Sequence, residues 1–442
     1  MYATASDKGR VALTMATSAT VSKYLDQYAI IPGAMPPIEG HWDQVLVVPC
    51  FDESPNFIAR YSGTLTETSL LLILVLNRPL TAQQTCNDRV RNHLVSYSGT
   101  YLKPGFGLFE VSTSLSLLLI DLEMLEGPTP IKQGVGRARR IGCDVASQLI
   151  REDRVKSAWI CSSDADACWS DALFDQAWPS SASAVTLPFT HLTSADQLIS
   201  EATLLYELRL HHYVLQLMAI NSPYAFHTLG SACAFNAEAY AAVRGMPLRS
   251  AAEDFYILNK LAKVAPVHRA TGPMVTIDAR TSSRVPFGTG PAVQKLTDSA
   301  LPTDEPIFYD ARCFEAFNRV HQLFERWITA ESLNFKTTDL ETELGADLAK
   351  AVGQKLEQWQ YQDAIVHIHK VAAAPDQRRP HLVTWLDGFK TLQLIHAIRD
   401  AGHPKISFKE SIQREDQWLR MSEKNPTELL REIQKRLGWQ SE

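Results

Sequence analysis

Two aspartates one residue apart, Asp164 and Asp166, are the residues of this chain whose types and spacing most directly suggest chemistry. They follow a short apolar run, Ala158 to Cys161, that is typical of a buried strand. Residues i and i+2 of a strand face the same side, so we expect both carboxylates to converge just past the carboxyl edge of a sheet, where open α/β sheets bind ligands. Two anionic oxygen ligands suit Mg²⁺ or Mn²⁺ that bridges phosphates. The alternative is an Asx-rich turn that merely closes the strand.

The bulk composition bounds the class of protein. A chain of 442 residues exceeds what one hydrophobic core usually organises, so we expect more than one domain. The net charge of -6 argues against a nucleic-acid binder driven by overall charge. The seven cysteines form no Cys-x-x-Cys pair, which favours neither a zinc site nor a disulfide framework and fits a reducing cytoplasm. No apolar run approaches the length of a membrane span, so we expect a cytoplasmic protein, at most peripheral at the membrane.

The elements that must position the two aspartates alternate along the first two thirds of the chain. Continuous apolar runs without polar alternation, as buried parallel strands show, are separated by stretches of helical periodicity. This alternation predicts an α/β fold, a mainly parallel sheet flanked by crossover helices. After about residue 300 strand signals nearly vanish and helical periods continue. We therefore predict an N-terminal arm over 1–40 with one helix near Tyr24, an α/β domain over 41–295 and an all-helical region over 300–442.

Five segments occur in an order that resembles the family 2 glycosyltransferases, which have the GT-A fold. Asp164–Asp166 matches the D-x-D of the family. The other four segments are similar to the family patterns V-P-x-[YF]-N-E, G-x-x-x-A-R-N-x-G, G-x-x-x-x-[FR]-R-x-E and E-D, at Val47–Glu53, Gly134–Gly142, Gly230–Glu238 and Glu253–Asp254. The resemblance covers somewhat more than half of the chain. It implies a metal-dependent, inverting transfer of a hexose from a nucleotide-sugar donor to a hydroxyl acceptor.

The resemblance also implies roles for single residues. Asp166 would be the first metal ligand, and Asp164 would contact the ribose or the metal through water. Arg139, near the start of the Gly134 helix, would meet a nucleotide phosphate with the help of the helix dipole. Asp254 would take the proton from the acceptor hydroxyl. Glu253 belongs to the same motif, although Ser250 to Glu253 also spells a capping box that would simply begin a helix.

The nucleoside would lie on the turn after the first strand. The resemblance places the base or ribose near Pro49, Asp52 and Glu53; a helix cap is the alternative role for Glu53. Relatives often carry an aspartate that reads uracil after the second strand, where this chain has Asn77. The Asn77 amide both donates and accepts hydrogen bonds, so it does not determine which base is bound. UDP is the favoured donor nucleotide.

Three further positions extend the predicted site. Many relatives place a metal-binding histidine after the last strand, where this chain has Asp278 as a substitute. Arg280 and Arg284 lie in a Gly- and Pro-containing segment, which suggests a lid that closes on the diphosphate. An ordinary surface loop is the alternative. The acceptor would approach Gly230 and Ser231.

Two other functions compete with sugar transfer. A nucleotidyltransferase would use a similar acidic metal site, but it usually has a Gly-rich phosphate loop after the first strand, and Pro49 to Glu53 contains no glycine. A non-catalytic scaffold on the same fold would bind partners through the helical C-terminal region. The sequence does not distinguish a glycan, a lipid or a small molecule as the acceptor. It also leaves open a homodimer through the C-terminal helices.

Overall fold

The computed structural model describes residues 19–281, 288–333, 335, 338–413 and 425–440. The described residues form two compact units. The first comprises those within Met1–Ala195, Thr228–Pro291 and Gln434–Glu442, and the second those within Asp196–His227 and Ala292–Ile433. Neither unit is a single contiguous stretch of the chain.

A nine-stranded sheet organises the first unit, in the order β11-β8-β10-β6-β1-β2-β5-β4-β3. Four neighbouring strands at its centre, β6, β1, β2 and β5, run parallel, and β10 and β4 are antiparallel to the strands beside them. The strands are β1 Gln44–Cys50, β2 Leu70–Leu76, β3 Ser98–Lys103, β4 Phe106–Glu110, β5 Leu115–Asp121, β6 Trp159–Ser162, β8 Ala184–Thr186, β10 Cys233–Asn236 and β11 Val267–Arg269.

Two smaller sheets and a set of helices complete the described part of the first unit. The three-stranded sheet joins β7 Ala167–Cys168, β13 Val275–Ile277 and β9 Phe189–His191, and the two-stranded sheet pairs β12 Gly272–Pro273 with β14 Trp439–Gln440. The helices are α1 (residues 19–27), α2 Asn56–Thr64, α3 Asp88–Leu94, α4 Leu122–Glu126, α5 Gly134–Arg151, α6 Asp171–Phe174, α8 Ala237–Ala242, α9 Glu253–Leu261 and the start of α10 Thr289–Thr297.

The central strands form because their sequences are apolar throughout. All seven residues of β2 are buried, as expected for a parallel strand covered on both faces. Helix α5 lies very close to this sheet at Gly142, where an added Cβ would come within 2.4 Å of a Val47 methyl. Gly142 thus allows helix α5, which carries Arg139, to pack closely against the sheet.

Helix α1 is anchored on α5 by a buried polar cluster. The hydroxyls of Tyr24 and Tyr240 both donate to Oδ1 of Asp144, and the Ile30 amide donates to Oδ2. Burial raises the pKa of Asp144, although the tyrosine hydrogen bonds oppose the shift. The helix predicted near Tyr24 is therefore confirmed, and it is built into the first unit.

The second unit is helical. Its core surrounds α11, whose inward face carries Phe314, Phe317, Phe324 and Ile328. The helices are α7 Gln197–Ala219, most of α10, α11 Ala311–Thr329, α12 Thr338–Leu344, α13 Ala346–Gln358, α14 Tyr361–Val371, α15 Pro375–Trp385, α16 Gly388–Gly402, α17 Phe408–Gln413 and most of α18 Pro426–Arg436, with a 3₁₀ turn at Pro302–Asp304.

The fold class predicted from the sequence is confirmed: a large central sheet with a parallel core is flanked by helices, and the C-terminal part is helical. Two features were not expected: the β3–β4 hairpin at the sheet edge, whose outer strand β3 is largely exposed, and the grouping of α7 with the C-terminal helices. The predicted boundaries of the arm and of the two domains stay predictions. Of the helices described, none combines the length and the apolar character needed to cross a membrane.

Candidate functional site

The buried guanidinium of Arg139 is the centre of the candidate site. Its Nε donates to Glu253 at 3.1 Å and its Nη2 to Asp164 at 2.7 Å. Its Nη1 donates to the Ser162 hydroxyl and to the carbonyls of Ser163 and Gly230, at 2.9, 2.9 and 3.2 Å. Burial alone would lower the pKa of Arg139, but Asp164 and Glu253 more than offset this and raise it. The Arg139 guanidinium thus connects helix α5 with three segments that lie far apart in the sequence.

The two motif aspartates lie on a turn after β6, not on the strand itself. The amide of Ala167 donates to the carbonyl of Asp164 at 3.1 Å, which closes the turn. Asp164 binds Arg139 through Oδ1, whereas Asp166 binds Arg280 through Oδ2 at 2.7 Å. Burial raises the pKa of Asp166, and Asp164 and Glu53 add to the shift while Arg280 opposes it. The pair is therefore held between two different arginines.

Arg280 also reaches the turn after β1. Its two terminal nitrogens donate to both oxygens of Glu53, at 2.8 and 2.7 Å, in a bidentate ion pair. The same guanidinium thus connects Glu53 with Asp166, two residues that the sequence analysis assigned to the nucleotide and the metal. Helix α2 begins at Asn56 with Pro55 at its N-cap, so the capping alternative for Glu53 is wrong.

Asp254 lies at the start of α9 and faces the Gly230 loop. Its Oδ2 accepts from the amide of Gly230 at 3.0 Å, and its Oδ1 accepts from the amide of Phe255 at 2.7 Å. Burial raises the pKa of Asp254 to about 7, and the neighbouring Glu253 adds to the shift, while Arg139 and the Phe255 amide oppose it. A carboxylate that titrates near neutral pH is suited to accept a proton from a substrate.

Glu253 is a partner of Arg139 rather than a helix cap. The N-cap residue of α9 is Ala252, with φ of 58°, and no side chain caps the helix. The capping box that Ser250 to Glu253 spells is therefore not formed. The side chain of Glu253 is 5% exposed and pairs with the buried Arg139 at 3.1 Å.

Close contacts explain the glycines of the motif segments. An added Cβ on Gly230 would lie 2.8 Å from Nη2 of Arg139. At Gly134, with φ of 40°, and at Gly136, it would collide with backbone atoms of Ser250 and Arg249. The start of α5 is thereby held against the loop that precedes α9.

The turn predicted to hold the nucleoside is fixed by Asn87. Its side chain accepts from the amide of Asp52 and donates to the carbonyl of Asn77, both at 3.0 Å. Asp52 has a left-handed φ of 51° and pairs with Arg89 at 3.0 Å. Pro49 lies in β1 beside Val75 of β2. Pro49, Asp52 and Asn77 thus occupy neighbouring strand ends at one edge of the sheet.

Other predicted residues are distributed as follows. The carboxylate of Asp278 pairs with Arg60 at 2.7 Å, and its amide donates to the Asp166 carbonyl at 2.8 Å. The carbonyl of Ser231 accepts from the indole of Trp169 at 2.9 Å. Arg284 lies outside the described residues. Four residues of the site were not predicted from the sequence, because they are ordinary residue types outside any motif: Ser162, Arg60, Asn87 and Trp169.

The residues present can contribute to a Mg²⁺ or Mn²⁺ site without forming a complete one. Within the described ranges no group of three or more His, Cys, Asp or Glu residues is placed to hold a metal. Each motif aspartate uses one oxygen for an arginine, which leaves Oδ2 of Asp164 and Oδ1 of Asp166 without a hydrogen bond to any described residue. Sites for Mg²⁺ commonly use one or two carboxylates, with substrate phosphates and water completing the shell. The pair fits that composition.

Comparisons with known proteins add little to this geometry. No protein-family model matches the chain, and no curated protein matches it. Among solved structures 38 chains match. One is the mannosyltransferase PcManGT from Pyrobaculum calidifontis in complex with GDP-Man and Mn²⁺, at 15% identity and a TM-score of 0.33, covering 86% of this chain and 96% of that one. A likeness of this degree carries no argument about the reaction of this chain.

Proposed function

We propose that the first unit transfers a sugar from a nucleotide-sugar donor to a hydroxyl acceptor, with Asp254 as the base and with a divalent metal. The observation that carries the proposal is the hydrogen-bond network of Arg139. It connects the Gly134, Asp164, Gly230 and Glu253 segments, which resemble four successive motifs of family 2 glycosyltransferases. The fifth segment contributes Glu53, which Arg280 connects to Asp166.

Asp254 is the proposed base because of its pKa and its position. With a pKa of about 7, it is about half deprotonated at neutral pH. The Gly230 amide fixes Oδ2, and the resemblance places the acceptor beside that loop. Asp254 would remove the hydroxyl proton as the acceptor oxygen attacks the anomeric carbon and the bond to the nucleoside diphosphate breaks. One such direct displacement inverts the anomeric configuration, which is the outcome that the resemblance implies.

The donor would lie along the sheet edge between the Asp52 turn and the aspartate pair. Asp164 and Asp166 would hold Mg²⁺ or Mn²⁺, which acts as a Lewis acid toward a diphosphate leaving group. Pro49, Asp52 and Asn77 would contact base or ribose, with UDP favoured. Arg139 has all its nitrogens engaged and its side chain is 2% exposed, so it is proposed to position Asp164 rather than to touch phosphate.

Donor binding is the first test. Isothermal titration with UDP, GDP and their sugars, each with and without Mn²⁺, should give metal-dependent binding of at least one nucleotide. Asp166→Ala should abolish that dependence, whereas Asp26→Ala, which removes an exposed carboxylate of the same unit, should preserve it.

Turnover is the second test and separates the competing functions. Asp254→Asn should keep donor binding and lose sugar transfer or donor hydrolysis. Release of pyrophosphate from a nucleoside triphosphate would instead indicate a nucleotidyltransferase. Absence of any metal-dependent nucleotide binding would refute the proposal and favour a scaffold.

A further inference from the structure

Strand β14, which follows α18, belongs to the first unit and pairs with β12 there. The two strands run parallel, with Trp439 opposite Gly272. The Gly272 amide donates to the Gly438 carbonyl at 2.9 Å. β12 and β14 form a sheet of their own, apart from the central one. The pairing therefore holds β12 to a segment that the chain reaches only after most of the second unit.

The side chain of Trp439 makes a second contact with the first unit. Its ring centre lies 5.4 Å from that of Phe189, with an angle of 56° between the ring planes. Aromatic pairs at this separation stabilise beyond the area that they bury. Phe189 is fully buried on β9, where it stands opposite Val275 of β13. β14 thus contacts β12 through its backbone and β9 through the Trp439 ring.

Strand β13 connects these contacts with the turn that carries Asp166. It follows β12 after a single residue and also pairs with β9. On its other side β13 pairs with β7, with Ile277 opposite Ala167, the residue after Asp166. Directly after β13, the Asp278 amide donates to the Asp166 carbonyl at 2.8 Å. The backbone of Asp166 is therefore held by β13, which is itself held between β12 and β9.

We propose that Trp439 is a positioning residue for the metal ligand Asp166. By holding β12 and β9 together, it keeps β13 in place and with it the backbone of the Asp166 turn. Trp439 lies outside the five segments that resemble the family patterns. The role of the metal in this inference rests on the proposed function, whereas the positioning of the turn rests only on contacts within the first unit.

Hydrogen exchange measured by mass spectrometry tests the positioning in the full chain without any ligand. In Trp439→Ala the Asp278 amide should exchange at least about tenfold faster, the factor that a loss of about 1.4 kcal/mol produces. Trp439→Phe keeps an aromatic ring against Phe189 and should recover most of the protection. Tyr101→Ala is the matched control: it removes a ring that also lies 5.4 Å from its partner, Phe109, in the β3–β4 hairpin, and should leave the exchange unchanged.

Gly438→Ala is a second variant, which keeps the Trp439 ring and perturbs the strand pairing. Gly438 has a left-handed φ of 73°, and an added Cβ would lie 3.2 Å from Cγ2 of Thr271, the residue before β12. We expect faster exchange at Asp278 here too, because the conformation and the close approach both favour glycine. Gly345→Ala is its control, since Gly345 has a similar φ of 77° but nothing within 4 Å of an added Cβ, and should leave exchange at Asp278 unchanged.

The effect on the metal is measured by calorimetric titration of UDP and of GDP at increasing Mn²⁺. The Mn²⁺ concentration that half-saturates nucleotide binding should rise at least about tenfold in Trp439→Ala and return to within about twofold of the wild type in Trp439→Phe. It should not change in Tyr101→Ala. A purely structural role for Trp439 would lower the free energy of unfolding without changing this concentration for the folded protein.

The outcomes separate this inference from the proposed function. Unchanged exchange at Asp278 in both Trp439→Ala and Gly438→Ala would overturn the inference, as would faster exchange with an unchanged Mn²⁺ dependence. If the wild type binds no nucleotide in the presence of Mn²⁺, the proposed function is refuted instead. The exchange rates, which need no ligand, then decide whether Trp439 positions the Asp166 turn.

Discussion

Replacement of Arg139 by methionine is the sharpest test of the site's construction. The variant keeps most of the side chain's apolar length but leaves two carboxylates without their cation. Asp164 can rehydrate, because its side chain is 36% exposed, but Glu253, at 5%, cannot. Breaking a buried ion pair by removing one partner costs about 3–5 kcal/mol. We therefore expect Arg139→Met to lower the free energy of unfolding by about 3–5 kcal/mol, mostly through Glu253.

The assay is urea unfolding of the full chain at pH 7, followed by circular dichroism. Arg151→Met is the matched control: it removes a partly exposed arginine of the same helix, whose pair with Asp26 is 3.7 Å long, and should cost less than about 1 kcal/mol. Adding Glu253→Gln to Arg139→Met removes the stranded charge and should restore at least half of the loss. A loss below about 1 kcal/mol in Arg139→Met, or no recovery in the double variant, would refute the view that this pair holds the site together.

Three other perturbations test the chemistry and the packing. Asp254→Asn should lower kcat by roughly 10²–10⁴-fold, and the wild-type rate should rise with pH through about 7, because only the deprotonated carboxylate accepts a proton. Because the raised pKa of Asp254 makes its ionisation unfavourable in the folded state, stability should fall as pH rises toward 7, and Asp254→Asn should reduce that fall in urea titrations. Gly230→Ala should destabilise by about 1–3 kcal/mol, because its Cβ would meet Arg139 at 2.8 Å, whereas Gly63→Ala, where nothing lies within 4 Å, should not. EDTA should abolish nucleotide binding in calorimetry, and Mn²⁺ should restore it.

The sequence was sufficient to predict the fold class and to select the segments of the site. Parallel strands end at one edge of a sheet, so residues such as Glu53 and Asp166 could be expected near each other before any contact was known. The Arg139 contacts could not be predicted. A charged side chain is ordinarily expected at the surface, and its two carboxylates lie 25 and 114 residues away in the chain. The β3–β4 hairpin was missed because its exposed first strand lacks the apolar run that revealed the others.

The charge balance of the candidate site explains why a cation is needed for the proposed reaction. Among the described residues three arginines face six carboxylates: Arg60, Arg139 and Arg280 against Glu53, Asp164, Asp166, Glu253, Asp254 and Asp278. Since burial raises the pKa of Asp254 to about 7, the negative charges of these described side chains exceed their positive charges by two to three at neutral pH.

A bound nucleoside diphosphate would add to that negative charge. Two like charges about 4 Å apart repel by roughly 4 kcal/mol at an effective dielectric constant of 20. Donor binding therefore requires either a divalent ion at the free oxygens of Asp164 and Asp166, or release of Arg280 from Glu53 toward the phosphates. The two routes differ in one measurable respect. If the ion provides the charge, as proposed, Arg280→Met should leave metal-dependent nucleotide binding largely intact. If Arg280 provides it, the same variant should abolish binding that EDTA does not affect, and the proposed role of the metal is wrong.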